Sequence, residues 1–428
     1  MTRCGASQID VTPPIGVRLA GYGNRTAPSN AIHDALCAQV LYFQDENQVE
    51  VVLISLDLIG VDRDFTAHVR SKIHQSTQIP MKNIMVTCTH THAGPDGFAI
   101  LFPRETQIDN DFQELRNDTA EKLAIAVQIA KGKARNAQFW YGTEQTEGIC
   151  TNRNNPQIRM PNTVTTLRID AVDGLIALLV SYGCHPTILS AKNLCISADF
   201  PGVMRINLHK SLGVPVVMFL NSGSGDVSTR FTRRSQDFVE VDRIGKLLAD
   251  YALEANRKST QITANKISSI SRSIDLPQRD FPSAVEADKV LRSLEKEYKN
   301  LQAKLVPIAS LRIIETKIIG ARVQARFSRE MTSVKELTTE VQGIRLGDLV
   351  LVSIPGEPFT EVVERIKRQT TRTKPLVISY ANDYIGYIPI DTVEDTYETL
   401  KSPWKSELGN YVADHCLSIV NALIDQEE

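Results

Sequence analysis

The 428-residue sequence is poor in the residues that most often bind metals or act as nucleophiles, with only eight histidines and seven cysteines. The cysteines stand singly at positions 4, 37, 88, 150, 184, 195 and 416, so no Cys-x-x-Cys pair indicates a zinc ribbon or a thioredoxin-like motif. Basic (48) and acidic (50) side chains nearly balance, which leaves no cationic excess for nucleic acid or an anionic membrane. Each histidine is therefore an individual candidate for chemistry.

Long apolar runs are also missing, and aromatic residues make up only 6% of the chain. The runs at residues 51–56 and 175–180 have the length of strands, far below the ~20 residues that span a bilayer. The N-terminus shows neither the apolar stretch nor the cleavage pattern of a secretory leader. We therefore expect a cytoplasmic protein with reduced thiols, no transmembrane segment and no nucleic-acid partner. The sequence does not specify an oligomeric state.

Apolar periodicity alternates between strand-like and helix-like segments, which predicts an α/β fold. Strands are expected at residues 36–43, 49–56, 83–88, 176–182, 214–220 and 268–276, and helices at 62–78, 109–131 and 239–255. With 42% hydrophobic residues the chain can bury a large core. We predict a multilayer sandwich of mixed β-sheets with flanking helices, built as one catalytic unit with two lobes, 1–265 and 266–428.

A further amphipathic helix is predicted after residue 283. Ser283 and Glu286 fit an N-terminal capping box, and Pro307 is expected to end the helix. Large apolar side chains with helical spacing lie between them at Leu291, Leu294, Tyr298, Leu301 and Leu305. This stripe could bind a partner or pack against the rest of the protein.

Two histidine segments that follow predicted strands are candidates for metal binding. In an extended backbone, residues two apart point the same way, so His90 and His92 could converge in a frequent zinc-ligand pattern. His185 follows a buried strand, and the next residue is a proline that would fix the turn. Hydrogen-bonded structural histidines are the alternative at both places.

Further polar residues follow other predicted strands. Glu357 could complete a His/His/Glu zinc set or only stabilise a helix N-terminus. Tyr384 and Tyr387 could pack at a rim or contact substrate. Arg153, in a polar turn, could bind a carbonyl or a carboxylate, and the small-residue loop that ends at Ser228 could bind an anion.

Taken in order along the chain, these segments resemble the N-terminal catalytic domain of the neutral/alkaline ceramidase family. The matching stretches are residues 10–16 with Gly21, residues 32–34, Asp57, residues 89–95 (Thr-His-Thr-His-Ala-Gly-Pro), residues 152–153, residues 184–187 (Cys-His-Pro-Thr), residues 199–202, residues 225–228, residues 355–357 (Pro-Gly-Glu) and residues 382–387. Together they extend from the first residues to about residue 400.

The family consists of zinc amidases that cleave the N-acyl bond of ceramide, so the resemblance implies a bound Zn²⁺. It implies that the zinc ligands are His90, His185, Glu357 and Tyr387. It also implies that His92 and Arg153 bind or polarise the reacting amide, and that Ser228 matches a serine sometimes given a catalytic role. Members usually carry a C-terminal immunoglobulin-like domain and a secretory leader, neither of which we expect here.

The function predicted from this resemblance is hydrolysis of an N-acyl amide by metal-activated water, with a small-molecule or lipid-like amide as substrate. His92 is the candidate acid for the leaving nitrogen, because arginine keeps its proton. Three alternatives remain at this point. The same zinc site could act on a soluble ester, amide or carbohydrate-derived substrate. Ser228 could be the nucleophile with a structural metal, or the protein could bind a ligand without catalysis.

Overall fold

A computed structural model describes residues 1–100, 110–304, 308–331, 337–393 and 396–425. The strands are β1 Arg3–Asp10, β2 Ala31–Ile32, β3 Cys37–Gln44, β4 Glu50–Leu56, β5 Ile84–Cys88, β6 Arg135–Asn136, β7 Gln138–Gln145, β8 Thr151–Asn152, β9 Thr163–Ala171, β10 Gly174–Tyr182, β11 Cys195–Ile196, β12 Val216–Asn221, β13 Val227–Ser228, β14 Thr260–Ile262, β15 Ile267–Asp275, β16 Thr338–Leu346, β17 Leu349–Ser353, β18 Glu357–Pro358, β19 Lys374–Ile378 and β20 Tyr387–Ile388. The α-helices are α1 Arg63–Thr77, α2 Asn110–Gly132, α3 Asp199–Leu212, α4 Phe238–Arg257, α5 Ala284–Ala303, α6 Ile308–Glu330, α7 Thr360–Gln369, α8 Tyr397–Lys401 and α9 Leu408–Asp425, and a 3₁₀ turn covers Met81–Asn83.

Three larger sheets make up the centre of the molecule. Their strand orders are β5-β4-β3-β1-β6 in the first sheet, β12-β10-β9-β7-β14 in the second and β15-β16-β17-β19 in the third. Each sheet ends in one parallel pair, formed by β4 with β5, β10 with β12 and β17 with β19. The other pairs in these sheets are antiparallel. All three sheets are therefore mixed, as predicted.

The three sheets share one central core, and helices cover their outer faces. Strand β4 shows how this arises, because Val51 and Leu53 point into the central core while Val52 and Ile54 pack towards α1 and α2. A strand buried on both faces needs apolar residues on both, which explains the continuous apolar run. Helices α3 and α4 cover the second sheet, and α7 and α9 cover the third. The predicted multilayer sandwich with flanking helices is confirmed.

The central core contains residues from both predicted lobes, including Leu167 of the second sheet and Leu351 of the third. The boundary between lobes 1–265 and 266–428 stays a prediction. Among the described helices, none combines the length and the apolar composition needed to cross a bilayer. All seven cysteines are free, and five of them are buried.

Helices α5 and α6 pack against each other as an antiparallel pair. Ser283 and Glu286 form the predicted capping box at the start of α5. The hydroxyl of Tyr298 donates a 2.7 Å hydrogen bond to Glu315 of α6, and Arg322 of α6 lies 2.7 Å from Glu295. The predicted stripe is half-buried at Leu291, Leu294, Tyr298 and Leu301, which favours packing within the protein. The predicted positions Leu305 and Pro307 lie outside the described residues.

Replacing Asp57 by asparagine is expected to lower the free energy of unfolding by about 3–5 kcal/mol, because it leaves a buried guanidinium without its counter-charge. Asp57 is fully buried at the end of β4 and accepts a 2.8 Å hydrogen bond from Nη1 of Arg205 on α3. Urea denaturation followed by circular dichroism measures the change. The control is Glu361→Gln, which removes a pair with Arg368 whose side chains are 53% and 60% exposed. That variant should cost about 1 kcal/mol or less, and equal effects would contradict the prediction.

Candidate metal centre and active site

The candidate site lies beyond the carboxyl ends of the parallel strand pairs. His90 follows β5, His185 follows β10, Glu357 follows β17, and the loop that contains Tyr384 and Tyr387 follows β19. Crevices at the carboxyl ends of parallel strands are common ligand sites in α/β proteins, because the chain turns there and leaves polar groups unpaired. One such end from each of the three sheets contributes to the same cluster.

His90 reaches this cluster through a tight turn. Its backbone has φ 70°, in the left-handed region that is uncommon for residues other than glycine. The amide N–H donates to the carbonyl of Leu58, and Nδ1 lies 2.5 Å from the carbonyl oxygen of Ile59. The extended His90–His92 segment predicted from the sequence is therefore wrong. The two rings still meet, with their Nε2 atoms 3.2 Å apart.

His185 and Glu357 complete a buried group of nitrogen and oxygen atoms. Nδ1 of His185 lies 2.5 Å from the carbonyl oxygen of Ser224, so this nitrogen carries the proton and Nε2 has a free lone pair. Oε2 of Glu357 lies 3.0 Å from Nε2 of His185 and 3.4 Å from Nε2 of His90. Neither Nε2 of His185 nor this Oε2 has a hydrogen-bond partner within the described residues.

These atoms fit a bound divalent metal. Ligand atoms of His90, His92 and His185 all lie within 4.8 Å of one another, which is a cluster that could hold a metal ion. The carbonyls at Nδ1 of His90 and His185 are the outer hydrogen bonds that usually orient metal-binding histidines. An imidazole and carboxylate donor set is typical of zinc sites, although the geometry does not specify the metal.

The electrostatics keep the donor atoms in the protonation states that a metal requires. Burial, followed by the charge of Arg153, lowers the pKa of His185 to about 4. Burial and the neighbouring His90 and His185 hold the pKa of His92 well below its usual value. Burial raises the pKa of Glu357, but the two imidazoles outweigh it, so the carboxyl stays ionised. The site therefore presents neutral imidazoles at His92 and His185 and a carboxylate at Glu357.

Arg153 lies at the edge of this cluster, directly after β8. Strand β8 pairs with β13, and the amide of Arg153 donates to the carbonyl of Asp226 at 2.8 Å. The guanidinium lies against the ring of Tyr387, 5.3 Å from its centroid. Burial lowers its pKa, but Tyr387, Glu398 and Glu357 outweigh that effect and the pKa is raised. Arg153 is therefore a permanently charged group beside the histidines.

The two tyrosines of the loop after β19 take different positions. Tyr387 pairs with Glu357 through the short parallel strands β20 and β18, which places it beside the cluster and against Arg153. The hydroxyl of Tyr384 donates to Oε1 of Glu357. Tyr384 is thus the tyrosine with a hydrogen bond to the carboxylate, a contact that the sequence did not predict although the residue is in the same motif.

Ser228 is buried in β13 and forms a parallel bridge with His185. Its Oγ accepts a 3.3 Å hydrogen bond from the amide of Arg230. Within the described residues, neither ring nitrogen of His92 is hydrogen-bonded to Ser228, since Nε2 faces His90 and Nδ1 has no partner. The serine–histidine contact that an activated serine nucleophile needs is therefore not formed.

Two other residues at the site were missed by sequence reasoning. The ring of Tyr380 stacks on His90 with centroids 3.9 Å apart, and its hydroxyl lies 2.6 Å from Oγ of Ser224. Glu398 on α8 lies 2.6 Å from Nε of Arg153. Tyr380 lies two residues before the motif at residues 382–387, so its place in the sequence could have indicated it, whereas no motif marks Glu398.

Comparisons with known proteins identify the family of the chain. A family model described as neutral/alkaline non-lysosomal ceramidase, N-terminal, matches residues 3–237. A neutral ceramidase of Mycobacterium tuberculosis is 20% identical, over 90% of this chain and 72% of the relative. One from Drosophila pseudoobscura is 22% identical over 64% of this chain, and the chain covers 47% of that relative's length. Neutral ceramidase B of Dictyostelium discoideum is 26% identical over 52% of this chain and 35% of its own.

Solved structures show the same fold. The crystal structure of neutral ceramidase from Pseudomonas aeruginosa matches with a TM-score of 0.77 and 16% identity, over 99% of this chain and 75% of that one. A structure of a ceramidase complexed with C2 matches with a TM-score of 0.75 and 15% identity over the same shares of the two chains. The sandwich described above is thus a ceramidase-like fold.

Proposed function

Since the chain belongs to the neutral/alkaline non-lysosomal ceramidase family, we propose that it is a zinc-dependent amidohydrolase that cleaves the N-acyl bond of a lipid-like amide. The observation that carries this proposal is the position of the buried Oε2 of Glu357, which lies 3.0 Å from Nε2 of His185 and 3.4 Å from Nε2 of His90. Paired neutral imidazoles with a carboxylate form a common catalytic zinc set that leaves a position open.

We assign the zinc ligands as His90, His185, Glu357 and Tyr387. When bound, zinc supplies a Lewis acid that makes hydroxide available near neutral pH. Tyr384 supports the assignment of Glu357, because its hydroxyl occupies Oε1 and leaves Oε2 as the free donor atom. The carbonyls of Ile59 and Ser224 support the two histidines by fixing the proton on Nδ1.

Arg153 and His92 would act on the amide itself. A charged guanidinium held beside the cluster would stabilise the negative charge that develops on the carbonyl oxygen during attack. The imidazole of His92 would accept a proton from the attacking water and give it to the leaving nitrogen, which must depart as a neutral amine. His92 suits this transfer because Nδ1 has no hydrogen-bond partner that fixes one protonation state.

The substrate class rests on the family and on the names of its members. The relatives are named neutral ceramidases, and a ceramide is an N-acylated lipid amide. We therefore place an N-acylsphingosine or a related lipid amide first among the candidates. A soluble amide, an ester or an N-acylated sugar would use the same chemistry and is the alternative. The Ser228-dependent mechanism is less well supported, because no hydrogen bond joins Ser228 to His92 in the part of the chain that the structure describes.

Removal of the metal is expected to abolish hydrolysis of N-acyl amides, and Zn²⁺ should restore it. Purified protein is dialysed against EDTA and assayed, with and without added Zn²⁺, on an N-acylsphingosine, a short N-acyl amide, an ester of the same acyl chain and an N-acetylated sugar. The substrate with the highest kcat/KM identifies the class. Full activity of metal-free protein, together with inactivity of Ser228→Ala, would establish the serine mechanism instead.

A further inference from the structure

We propose that Glu398 is a positioning residue that fixes the guanidinium of Arg153 in the orientation needed at the reacting carbonyl. The role rests on the proposed amide hydrolysis. Glu398 belongs to the short helix α8, 10 residues beyond Ile388 at the end of β20, and is 1% exposed. It touches no residue of the histidine cluster directly in the described contacts, so it would act only through Arg153.

Both carboxylate oxygens of Glu398 are used to hold the turn after β8. Oε1 lies 2.6 Å from Nε of Arg153, and Oε2 accepts a 2.8 Å hydrogen bond from Nδ2 of Asn154. One buried carboxylate thus binds two consecutive side chains of the turn that carries Arg153. Because the approach of Oε1 to Nε is not that of an aligned hydrogen bond, the contact with Arg153 is a buried ion pair. The hydrogen bond from Asn154 is charge-assisted and therefore stronger than one between neutral groups.

The surroundings of the guanidinium leave its Nη2 end available to a ligand. The ring of Tyr387 covers the guanidinium at 5.3 Å from the centroid. Within the described residues its buried Nε and Nη2 make no aligned hydrogen bond, so Nε is held only by the ion pair with Glu398 and Nη2 has no partner. A buried donor left unpaired is costly unless a ligand uses it. The contact at Nε therefore sets the direction of Nη2, which is the donor available for a substrate oxygen.

Helix α8 itself is held by the remainder of the fold. Leu400 packs against Gly320 of α6, where a Cβ atom would lie only 3.2 Å from the leucine side chain. Arg279 donates to the carbonyl of Thr399 at 3.1 Å. Helix α6 thus supports the helix that carries Glu398, which connects the helix pair α5–α6 to the site indirectly.

The kinetic test is the substitution Glu398→Gln in the full-length metal-loaded protein. We expect kcat to fall by roughly 10–100-fold, because a displacement of about 1 Å in a positioning group can cost up to ~10²-fold, while KM changes by less than about threefold. Bound metal per chain should be unchanged. Glu398→Asp, which keeps the charge, should recover part of the loss. Unchanged kcat in Glu398→Gln would overturn the proposal.

The matched control is Glu240→Gln. Glu240 is 2% exposed and lies 2.6 Å from Nη2 of Arg243, so it is an equally buried glutamate paired with an arginine away from the cluster. Glu240→Gln should change the unfolding midpoint without changing kcat.

A double-mutant cycle with Arg153→Lys adds a second criterion. If Glu398 acts through Arg153, the kcat of the double variant Arg153→Lys/Glu398→Gln should equal that of Arg153→Lys within about twofold. A double variant whose loss of kcat is the product of the two single losses would overturn the proposal.

A spectroscopic measurement keeps this inference separate from the proposed reaction. In protein labelled with ¹⁵N-arginine, the Nε–H of Arg153 should give a resonance protected from solvent exchange, assigned by its loss in Arg153→Lys. We expect Glu398→Gln to shift this resonance and to abolish its protection, and Glu240→Gln to leave it unchanged. A protected, unshifted resonance in Glu398→Gln would refute the positioning role. This readout needs no substrate, so it tests Glu398 even if the protein does not hydrolyse amides.

Discussion

Replacing His185 by alanine is expected to remove the bound metal and all measurable hydrolysis. Loss of one outer hydrogen bond to a metal ligand typically reduces metal affinity by ~10–100-fold, so loss of the ligand itself should exceed that range. The metal-to-protein ratio, measured by plasma mass spectrometry after dialysis against a weak chelator, should fall from about one to near zero. His90→Ala should behave in the same way.

The physical reason lies in the surroundings of His185. The side chain is fully buried, its Nδ1 is held by the carbonyl of Ser224, and its Nε2 faces Oε2 of Glu357 at 3.0 Å. Removing the imidazole leaves His90, Glu357 and Tyr387, an incomplete ligand set that we expect to lose a divalent ion to a chelator.

A matched control separates metal loss from general damage. His209 near the end of α3 also has its Nδ1 beside a backbone carbonyl, that of Val214 at 2.8 Å, but it belongs to no metal-binding cluster among the described residues. His209→Ala should keep the metal. Stoichiometric metal in both His185→Ala and His90→Ala would rule out the assigned ligand set.

The part of the fold that could be predicted is the part buried on both faces. Strands β4 and β10 are largely apolar runs, and their bounds agree with the strands predicted at 49–56 and 176–182 to within two residues. Strand β1 was not predicted, because Gly5, Ser7 and Gln8 give it a weak strand preference. Its place in the first sheet depends on pairing with β3, which only the tertiary structure determines.

The residues of the candidate site also fall into those that a local sequence pattern predicts and those that only the tertiary structure reveals. His90, His185 and Glu357 each follow an apolar strand, so a local pattern indicates them, and they occur in the same order along the chain as the family's motifs. Glu398 has no such pattern, because its partner Asn154 is 244 residues away and the contact requires α8 to fold against the first half of the chain. The turn at His90 was also beyond sequence reasoning, since it is imposed by the carbonyls of Leu58 and Ile59.

Replacing His92 by alanine is expected to lower kcat by about 10²–10⁴-fold while the metal stays bound, because general acid–base catalysis usually contributes that much. The three-histidine cluster offers a competing assignment, in which His92 is itself a ligand. The two assignments give opposite results for metal content. Metal analysis and single-turnover kinetics of the same preparation therefore distinguish them.

The hydrogen bonds favour catalysis over ligation. Metal-binding histidines almost always anchor their second nitrogen, as His90 and His185 do on backbone carbonyls. Nδ1 of His92 has no hydrogen-bond partner among the residues that the structure describes and instead lies against Gly21, where a Cβ atom would be 2.3 Å from it. Its ring packs against the edge of Tyr22 with centroids 5.0 Å apart, and its Nε2 faces Nε2 of His90 at 3.2 Å. An imidazole without an anchored tautomer can accept a proton at one step and release it at the next.

Gly21 provides a variant that tests this interpretation without removing the imidazole. Gly21→Ala would place a methyl group against Nδ1 of His92 and would also strain a backbone with φ 97°. If His92 transfers the proton, Gly21→Ala should keep the metal and lower kcat by displacing the ring. If His92→Ala and Gly21→Ala both lose the metal, His92 belongs with the ligands, and the proton must be carried by another group.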